Sequence, residues 1–307
     1  MCLRPRRGLT SANFQPARRP CILAPVKLSV VLISFNEEAN IGRTLESVQS
    51  LVGDGKGEIV VVDSGSTDRT LEIARSYGAK VFVEEWKGYA AQKNSAIDKA
   101  SGEYVLSLDA DEEISRELSE EIARTVESAP RTYKFAQKMT DGHGEPIVIN
   151  GFWIPRKNYF LNRWIKHGGF WPDRKLRLFR SGTGSFRDAA VHETLAVEEY
   201  KGNRGLSVPA RSLSGALIHH SYPNLSDYIE HMNRYSSLGA EMVVAKGYQG
   251  FSVINVVLRP LAALLYNYFF RLGFLDGREG LLLHLYHAVY VSWKYAKAWE
   301  LARKAQN

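Results

Sequence analysis

The residues best suited to chemistry fall in three clusters, each directly after a short apolar run. They are Ser34-Phe35-Asn36-Glu37-Glu38, Asp63-Ser64-Gly65-Ser66-Thr67-Asp68 and Asp109-Ala110-Asp111-Glu112-Glu113. Carboxylates gathered on one rim repel one another, so the clustering is costly unless a ligand relieves it. A divalent cation clasping a polyphosphate would do so, since hard cations take oxygen ligands and keep several waters. An Asp-x-Asp pair is by itself a weak signal. Following a second apolar run that ends in Asp-x-Gly-Ser-x-Asp, it becomes a much more specific one.

The runs that carry these clusters read as strands. Lys27–Ser34, Glu58–Asp63 and Tyr104–Asp109 are short, β-branched and nearly continuous in apolar character, as strands covered on both faces of a parallel sheet are. A weaker strand is expected at Ala79–Val83. Helical stretches fall between them, at about Ala39–Leu51, Asp68–Tyr77, Tyr89–Ala100 and Ser115–Ser128. This alternation predicts an α/β fold with a doubly wound, mostly parallel sheet and right-handed crossovers. Ligands of such sheets bind outside the carboxyl ends of the strands, where all three clusters lie.

From about Arg131 to Ser221, Gly-, Arg- and aromatic-rich segments suggest strands and loops that complete a cleft. A helix is expected at Asn224–Lys246, capped by Asn224, with Leu225, Ile229, Met232, Tyr235 and Met242 at helical spacing. The remainder reads as two or three helical pieces broken near Pro260 and at Gly273–Gly280. The expected organisation is a basic tail (1–26), a catalytic domain (27–222) divided into a nucleotide-binding half (27–130) and an acceptor half (131–222), and a helical extension (223–307).

The chain has 307 residues, 45% hydrophobic and 24% charged, enough for a sizeable core. Five arginines in the first 26 residues account for five of the +7 formal charge, leaving +2 for the rest. The basicity is thus mostly a property of the tail, which argues against a nucleic-acid partner. Both cysteines, Cys2 and Cys21, also lie there, so no disulfide framework is expected in the body and a reducing compartment fits. The tail lacks the apolar core of a secretory signal and is expected to lie outside the fold. No run reaches the ~18 apolar residues of a membrane span.

At this point the segment from Leu28 to about Ser115 resembles the family 2 nucleotide-sugar glycosyltransferases of GT-A fold, whose sheet is Rossmann-like. The run SFNEEANIGRTLESV, the phrase VVDSGSTDRT, the AQKNSAI segment and LSLDADEE match that pattern in order. Further on, GGFWPDRKLRLFR, AVHETL, IHHSYPNLSDYI and GFLDGREGLLLHLYHAVYVSWKYAKAWE are similar to the subgroup of lipopolysaccharide core beta-glucosyltransferases.

The resemblance implies an inverting transfer of a sugar from a nucleotide sugar, UDP-linked and with glucose as the subgroup's sugar, to a hydroxyl of an envelope glycolipid or glycan. Asp63 would accept hydrogen bonds from the uracil or ribose; its alternative is a turn-forming Asx residue. Asp68 would touch the nucleotide or cap the following helix. Ser34, Asn36 and Glu37 would border the nucleoside pocket, with a helix-terminal role open for Glu37. Lys93 would set a cation near the diphosphate, or be a solvated helix residue. Asp109 and Asp111 would hold the diphosphate through Mg²⁺ or Mn²⁺, with Asp111 the more direct ligand. His219 would be a further ligand, and His192 is a second candidate. Glu193 would be the general base, with Asp188 as its rival.

Two features remain. Between Arg163 and Arg180 six Arg or Lys residues stand against Asp173 alone, interleaved with Trp164, Phe170 and Trp171. Here they suggest a wall for diphosphate and an anionic acceptor, or a solvated strand. The C-terminal helices carry Tyr266, Tyr268, Phe269, Phe270, Tyr286, Tyr290 and Trp293, followed by Lys294, Lys297, Arg303 and Lys304. That composition suits a peripheral contact at the inner face of the cytoplasmic membrane, or internal packing. The competing functions are a polyprenyl-phosphate glycosyltransferase, a sugar nucleotidyltransferase and a non-catalytic glycan- or nucleic-acid-binding protein.

Overall fold

The computed structural model describes residues 27–128, 149–187, 194–197 and 210–304. The tail, Asp188, His192 and Glu193 therefore lie outside the described residues.

The first half alternates as its pattern demands: β1 (Leu28–Ser34), α1 (Ile41–Val52), β2 (Gly57–Asp63), α2 (Thr70–Ser76), β3 (Lys80–Val83), α3 (Tyr89–Asp98), β4 (Tyr104–Leu108), β5 (Glu112–Ile114) and α4 (Arg116–Ser128). Strand β1 pairs in parallel with β2 on one side and β4 on the other, and β3 continues beyond β2. Both faces of these strands are covered. Leu28, Val30 and Leu32 pack under α1 and α4, with Ile41, Leu45, Val48, Leu118 and Ile122. Val31, Val60 and Val62 pack under α3. Continuous apolar runs are the result, whereas the edge strand β3 is largely exposed.

The order β3-β2-β1-β4 reverses direction at β1, so its crevice opens between the ends of β1 and β4. Beyond β4 the sheet turns mixed. β8 (Asp173–Arg180) lies antiparallel to both β4 and β6 (Gly151–Phe160), and β12 (Leu217–Tyr222) runs parallel to β6. β5 closes the far edge against β12, which carries the chain after Asp111 across the sheet. Short strands β7 (Arg163–Trp164) and β11 (Arg211–Ser212) flank β6, and β9 (Gly184–Arg187) pairs with β10 (Thr194–Val197) as a separate ribbon.

The helical extension starts with α5 (Leu225–Ala245), where the Asn224 side chain accepts the Asp227 N–H at 2.9 Å. Pro260 does not break the next helix. Wide π-type turns at Ile254–Leu258 and Tyr266–Phe270 flank α6 (Arg259–Leu265), and the Arg259 N–H reaches back to Ile254 O just before the proline. A wide turn spares the bond that a proline lacks. The real break spans Leu272 and Gly277, both at positive φ, and α7 (Gly277–Lys304) runs through Gly280 without interruption. Helix α7 returns along α5, where the Lys297 ammonium donates to Asn233 O at 2.8 Å and Ser236 Oγ at 2.7 Å. Phe160 and Ile165 join Tyr228 of α5 and Leu283 of α7 in a third cluster, which Tyr286 flanks.

Gly102 shows how tightly the centre is built. Its N–H donates to Ser29 Oγ at 2.8 Å, and an added Cβ would lie 2.6 Å from the Ser29 backbone nitrogen. Backbone cannot step aside as a side-chain tip can. Gly102→Ala is expected to destabilise the fold by about 1–3 kcal/mol in denaturant unfolding, through overpacking. An unchanged midpoint would mean that β1 and β4 tolerate separation here.

Candidate functional site

The loops after β1 and β2 are knitted together. Asn36, at φ 53°, donates its N–H to Ser66 Oγ at 2.8 Å and accepts the Thr67 N–H at 2.8 Å. Asn tolerates this left-handed conformation better than most residues. The Glu37 N–H donates to Thr70 Oγ1 at 2.8 Å, and the Arg69 N–H donates to Glu38 at 3.0 Å.

Asp63 holds the second loop from inside. Completely buried, it accepts the Gly65 and Ser66 N–H groups at 2.9 and 2.7 Å, and the Ser34 and Ser66 hydroxyls at 2.7 and 2.6 Å. A carboxylate offers about four lone-pair sites, and these bonds use them all. In this structure Asp63 makes the bonds of the turn-forming role, with Ser34 as its partner. Asp68 likewise accepts the Thr70 N–H at 3.0 Å, at the start of α2.

The Asp109–Glu113 segment crosses a buried chain of alternating charge. Lys93, 4% exposed, reaches Asp109 Oδ1 at 2.6 Å from α3. Arg177 from β8 takes Asp109 Oδ2 and, at 2.8 Å, Glu112 Oε1. Glu112 also meets Arg156 of β6 at 3.0 Å, and Arg156 meets Asp173 at 2.8 Å. Burial opposes ionisation of Asp109, but Arg177 and then Lys93 hold its carboxyl well below the usual range. Arg156, likewise buried, holds Asp173 down at about 2, with Lys175 assisting. Lys93 is thus neither solvated nor poised alone toward a diphosphate. Asp109 has a buried cation on each oxygen.

Asp111 differs. Its Oδ2 lies 3.2 Å from His219 Nε2, and its carbonyl accepts the His220 N–H at 3.2 Å. The other ring nitrogen, Nδ1, faces Asn158 Oδ1 at 2.9 Å and the Ser221 hydroxyl at 2.6 Å. Asn158 is oriented by its amide, which donates to Asp173 at 3.1 Å, so its carbonyl must point at the histidine. That makes Nδ1–H a donor, while Nε2 meets the Asp111 carboxylate. Burial opposes ionisation of Asp111, and His219 holds its carboxyl below the usual range. A carbonyl fixing the tautomer behind a ligating imidazole is the usual arrangement at protein-bound metals.

The donor set therefore fits Mg²⁺ or Mn²⁺ through Asp111 and His219. Among the described residues no group of three His, Cys, Asp or Glu side chains is placed to hold an ion, so oxygen from diphosphate and water would complete the shell. The electrostatics agree. Burial pushes the Glu37 carboxyl up against its bond from Asn40, and Asp111, Asp68 and Asp109 add repulsion.

Several residues at this site escape sequence reasoning. Nothing in the sequence singles out Arg156, and Glu112 and Arg177 read only as members of the acidic cluster and the basic stretch, because only the register of β6, β8 and β5 makes the three neighbours. The expected basic wall divides: Arg177 is buried, Arg180 meets Glu103 at 3.0 Å and Lys175 meets Asp173 at 3.1 Å, whereas Arg163 and Lys166 stay exposed. On the opposite side α5 closes the rim. Tyr222 packs edge-on against His231 at 5.3 Å, His231 stacks on Tyr235 at 4.1 Å, and Arg234 donates to Tyr89 Oη at 2.9 Å, bridging to α3.

The profile of Glycosyl transferase family 2 matches residues 29–182. An uncharacterized glycosyltransferase of Rickettsia typhi is 30% identical over 92% of this chain and 89% of its own. The lipopolysaccharide core biosynthesis glycosyltransferase LpsC of Rhizobium meliloti is 28% identical over 83% of this chain and 84% of its own. Among solved structures, S. aureus TarS in complex with UDP aligns over 92% of both chains, with 18% identity and a TM-score of 0.42.

Glu112→Gln should cost about 1–3 kcal/mol in denaturant unfolding, because it removes the fully buried charge that Arg156 and Arg177 share and leaves each with a single acidic partner. Arg43→Gln, which breaks the part-exposed Arg43–Glu113 pair, should cost at most about 1 kcal/mol. Equal losses would refute the ranking.

Proposed function

Given that this chain belongs to glycosyl transferase family 2 and carries the GT-A architecture, we propose that it transfers a sugar from a UDP-sugar to a hydroxyl of an envelope glycolipid or polysaccharide such as lipopolysaccharide core, with inversion and with Mg²⁺ or Mn²⁺. The supporting observation is the Asp111–His219 pair at the topological switch point, with the imidazole tautomer set by Asn158. UDP-glucose is the donor of the first choice.

Asp111 and His219 would hold the ion, which when bound neutralises charge on the departing diphosphate. The remaining work belongs to this chain. Asp63 keeps the loop after β2 rigid, so that backbone and Asn36, rather than the Asp63 carboxylate, border the nucleoside. Lys93 and Arg177 neutralise Asp109, so that the crevice is not closed to a polyphosphate by repulsion. Glu193 takes the acceptor proton as its oxygen attacks the anomeric carbon opposite the diphosphate, with Asp188 as the alternative base.

The test is Mn²⁺-dependent hydrolysis across a panel of nucleotide sugars, followed by transfer to an acceptor glycolipid. Asp111→Ala should reduce the rate by at least ~10²-fold while the protein stays folded. Glu193→Gln should abolish transfer and leave UDP binding intact. If Glu193→Gln and Asp188→Asn both remain active, the acceptor is instead a phosphate that needs no base, the polyprenyl-phosphate reading. Binding of glycans without turnover of any donor would favour the non-catalytic alternative.

Peripheral contact with the inner face of the cytoplasmic membrane is part of this reading, through a narrower surface than the aromatic sequence suggests. Tyr286 and Tyr290 are half-buried by α5, and α7 is no detachable anchor. No helix among the described residues is long and apolar enough to cross a membrane. Instead Ile254, Val257, Leu261, Leu265 and Phe269 line up at helical spacing and are exposed, as are Phe270, Phe274 and Leu275. From Met242 to Leu275 there is no acid, while Lys246, Arg259 and Arg271 are present. Such a face matches an anionic bilayer, whereas a second copy would meet it with like charge. In flotation with phosphatidylcholine–phosphatidylglycerol vesicles, the full chain should float and Leu261→Asp/Phe269→Asp should not. Equal flotation of a folded variant would remove the membrane from the proposal.

A further inference from the structure

A cavity of about 640 Å³ opens between the β6–β7 hairpin and the start of α7, with Tyr159, Arg163, Trp164, Lys166, Leu275 and Glu279 among its walls. Its volume is that of an ordinary ligand site. The Lys157 and Lys166 ammonium groups lie 4.8 and 4.5 Å from the centre of the Trp164 ring, and Trp171 meets that ring edge-on at 5.2 Å. Neither lysine pairs with a described carboxylate. Arg163 adds a third cation, about half exposed and met only at 3.5 Å by Glu279.

The cavity's other acid is already spent. Asp276, buried, accepts the Lys166 and His167 N–H groups at 3.2 and 2.8 Å and faces His167 Nδ1 at 2.9 Å. Trp164 Nε1 is buried and meets no acceptor. Buried donors are almost always paired, and this one, sealed from the cavity as it stands, could meet an outside oxygen only if the wall shifts. Cations beside aromatic rings and an unmet indole N–H together favour a polar, negatively charged ligand.

Two connections relate the cavity to the rest of the molecule. Tyr159 follows Asn158, the support of His219, and stacks on His220 at 5.5 Å. Successive strand residues point to opposite faces, so the cavity adjoins β6 on the face away from the Asp111–His219 pair. Leu275 belongs both to the cavity and to the exposed apolar face. Resting on the glycosyltransferase reading, the geometry points to this cavity as the seat of an acidic saccharide, a sugar carrying phosphate or carboxylate, presented by the acceptor glycolipid. The lipid's acyl part stays with the bilayer against the 253–275 face while its charged sugar enters between Arg163 and Lys166.

The experiment titrates the full chain with glucose 6-phosphate, glucose and inorganic phosphate, with and without saturating UDP. The readout is the Trp164 indole N–H resonance, identified by its loss in Trp164→Phe. Glucose 6-phosphate should move it, glucose should not, and UDP should not compete. Arg163→Gln and Lys166→Gln should each weaken the response about tenfold, with UDP binding unchanged. No response, a response to inorganic phosphate of equal affinity, or competition by UDP overturns the assignment. Failure of the donor reading would appear separately, as absent UDP binding in the unaltered protein. Vesicles of phosphatidylcholine and phosphatidylglycerol distinguish the source. Their binding should survive both cavity substitutions, and its loss in them without any phosphosugar response would give the cavity to a phospholipid head group and overturn the saccharide.

Discussion

The buried chain Lys93–Asp109–Arg177–Glu112–Arg156–Asp173 is the interaction on which the rest of the site depends. It joins α3, the loop after β4, β8 and β6, elements far apart in sequence. Moving a charge from water into protein costs several kcal/mol, recovered only when geometry is good and every charge is met. Alternation achieves that here: each inner member sits between two of opposite sign. The chain therefore ties the parallel strands and their helices to β6 and β8 in essentially one arrangement. Asp173, its last member, fixes Asn158, and through Asn158 the tautomer of His219.

This arrangement divides labour among carboxylates that look equivalent in the sequence. Asp63 organises a loop, Asp109 and Glu112 balance buried cations, and Asp111 faces His219. Glu37, its carboxyl raised by burial and by its acidic neighbours, reports that the rim still holds more negative charge than it can comfortably keep. A cation in the crevice would relieve it. The same economy explains the apparent basic wall, whose strand residues are mostly committed inward.

The helical extension serves two surfaces. Through α5 it brings Tyr222's neighbour His231, with Arg234 and Tyr235, to the rim of the crevice, and the Arg234–Tyr89 bond crosses to α3. Through the segment before α7 it offers an acid-free apolar face. The cavity beside Trp164 lies between these two roles. Under the proposed function these would become a bilayer-facing side, an acceptor side and a donor side, each built from a different part of the chain.

Local pattern was enough for much of this. Continuous β-branched runs located β1, β2 and β4 within a residue or so because strands covered on both faces cannot afford alternation, and Asn224 announced α5 because an Asx side chain satisfies the first free N–H groups. The amino acids alone also determined where polar ligands must gather, since parallel strands present their carboxyl ends together. What they left undecided is which carboxylate meets what. Pro260 looked like a break until a π turn absorbed its missing donor, and while Asp63 takes most of its bonds from Gly65 and Ser66 close by, Asp109 takes its two cations from distant elements. Hydrogen bonds and ion pairs depend on partners 16 to 68 residues away, as Lys93 and Arg177 are from Asp109. Strand and helix periodicity is written locally; the pairing of buried charges is settled only when the sheet assembles.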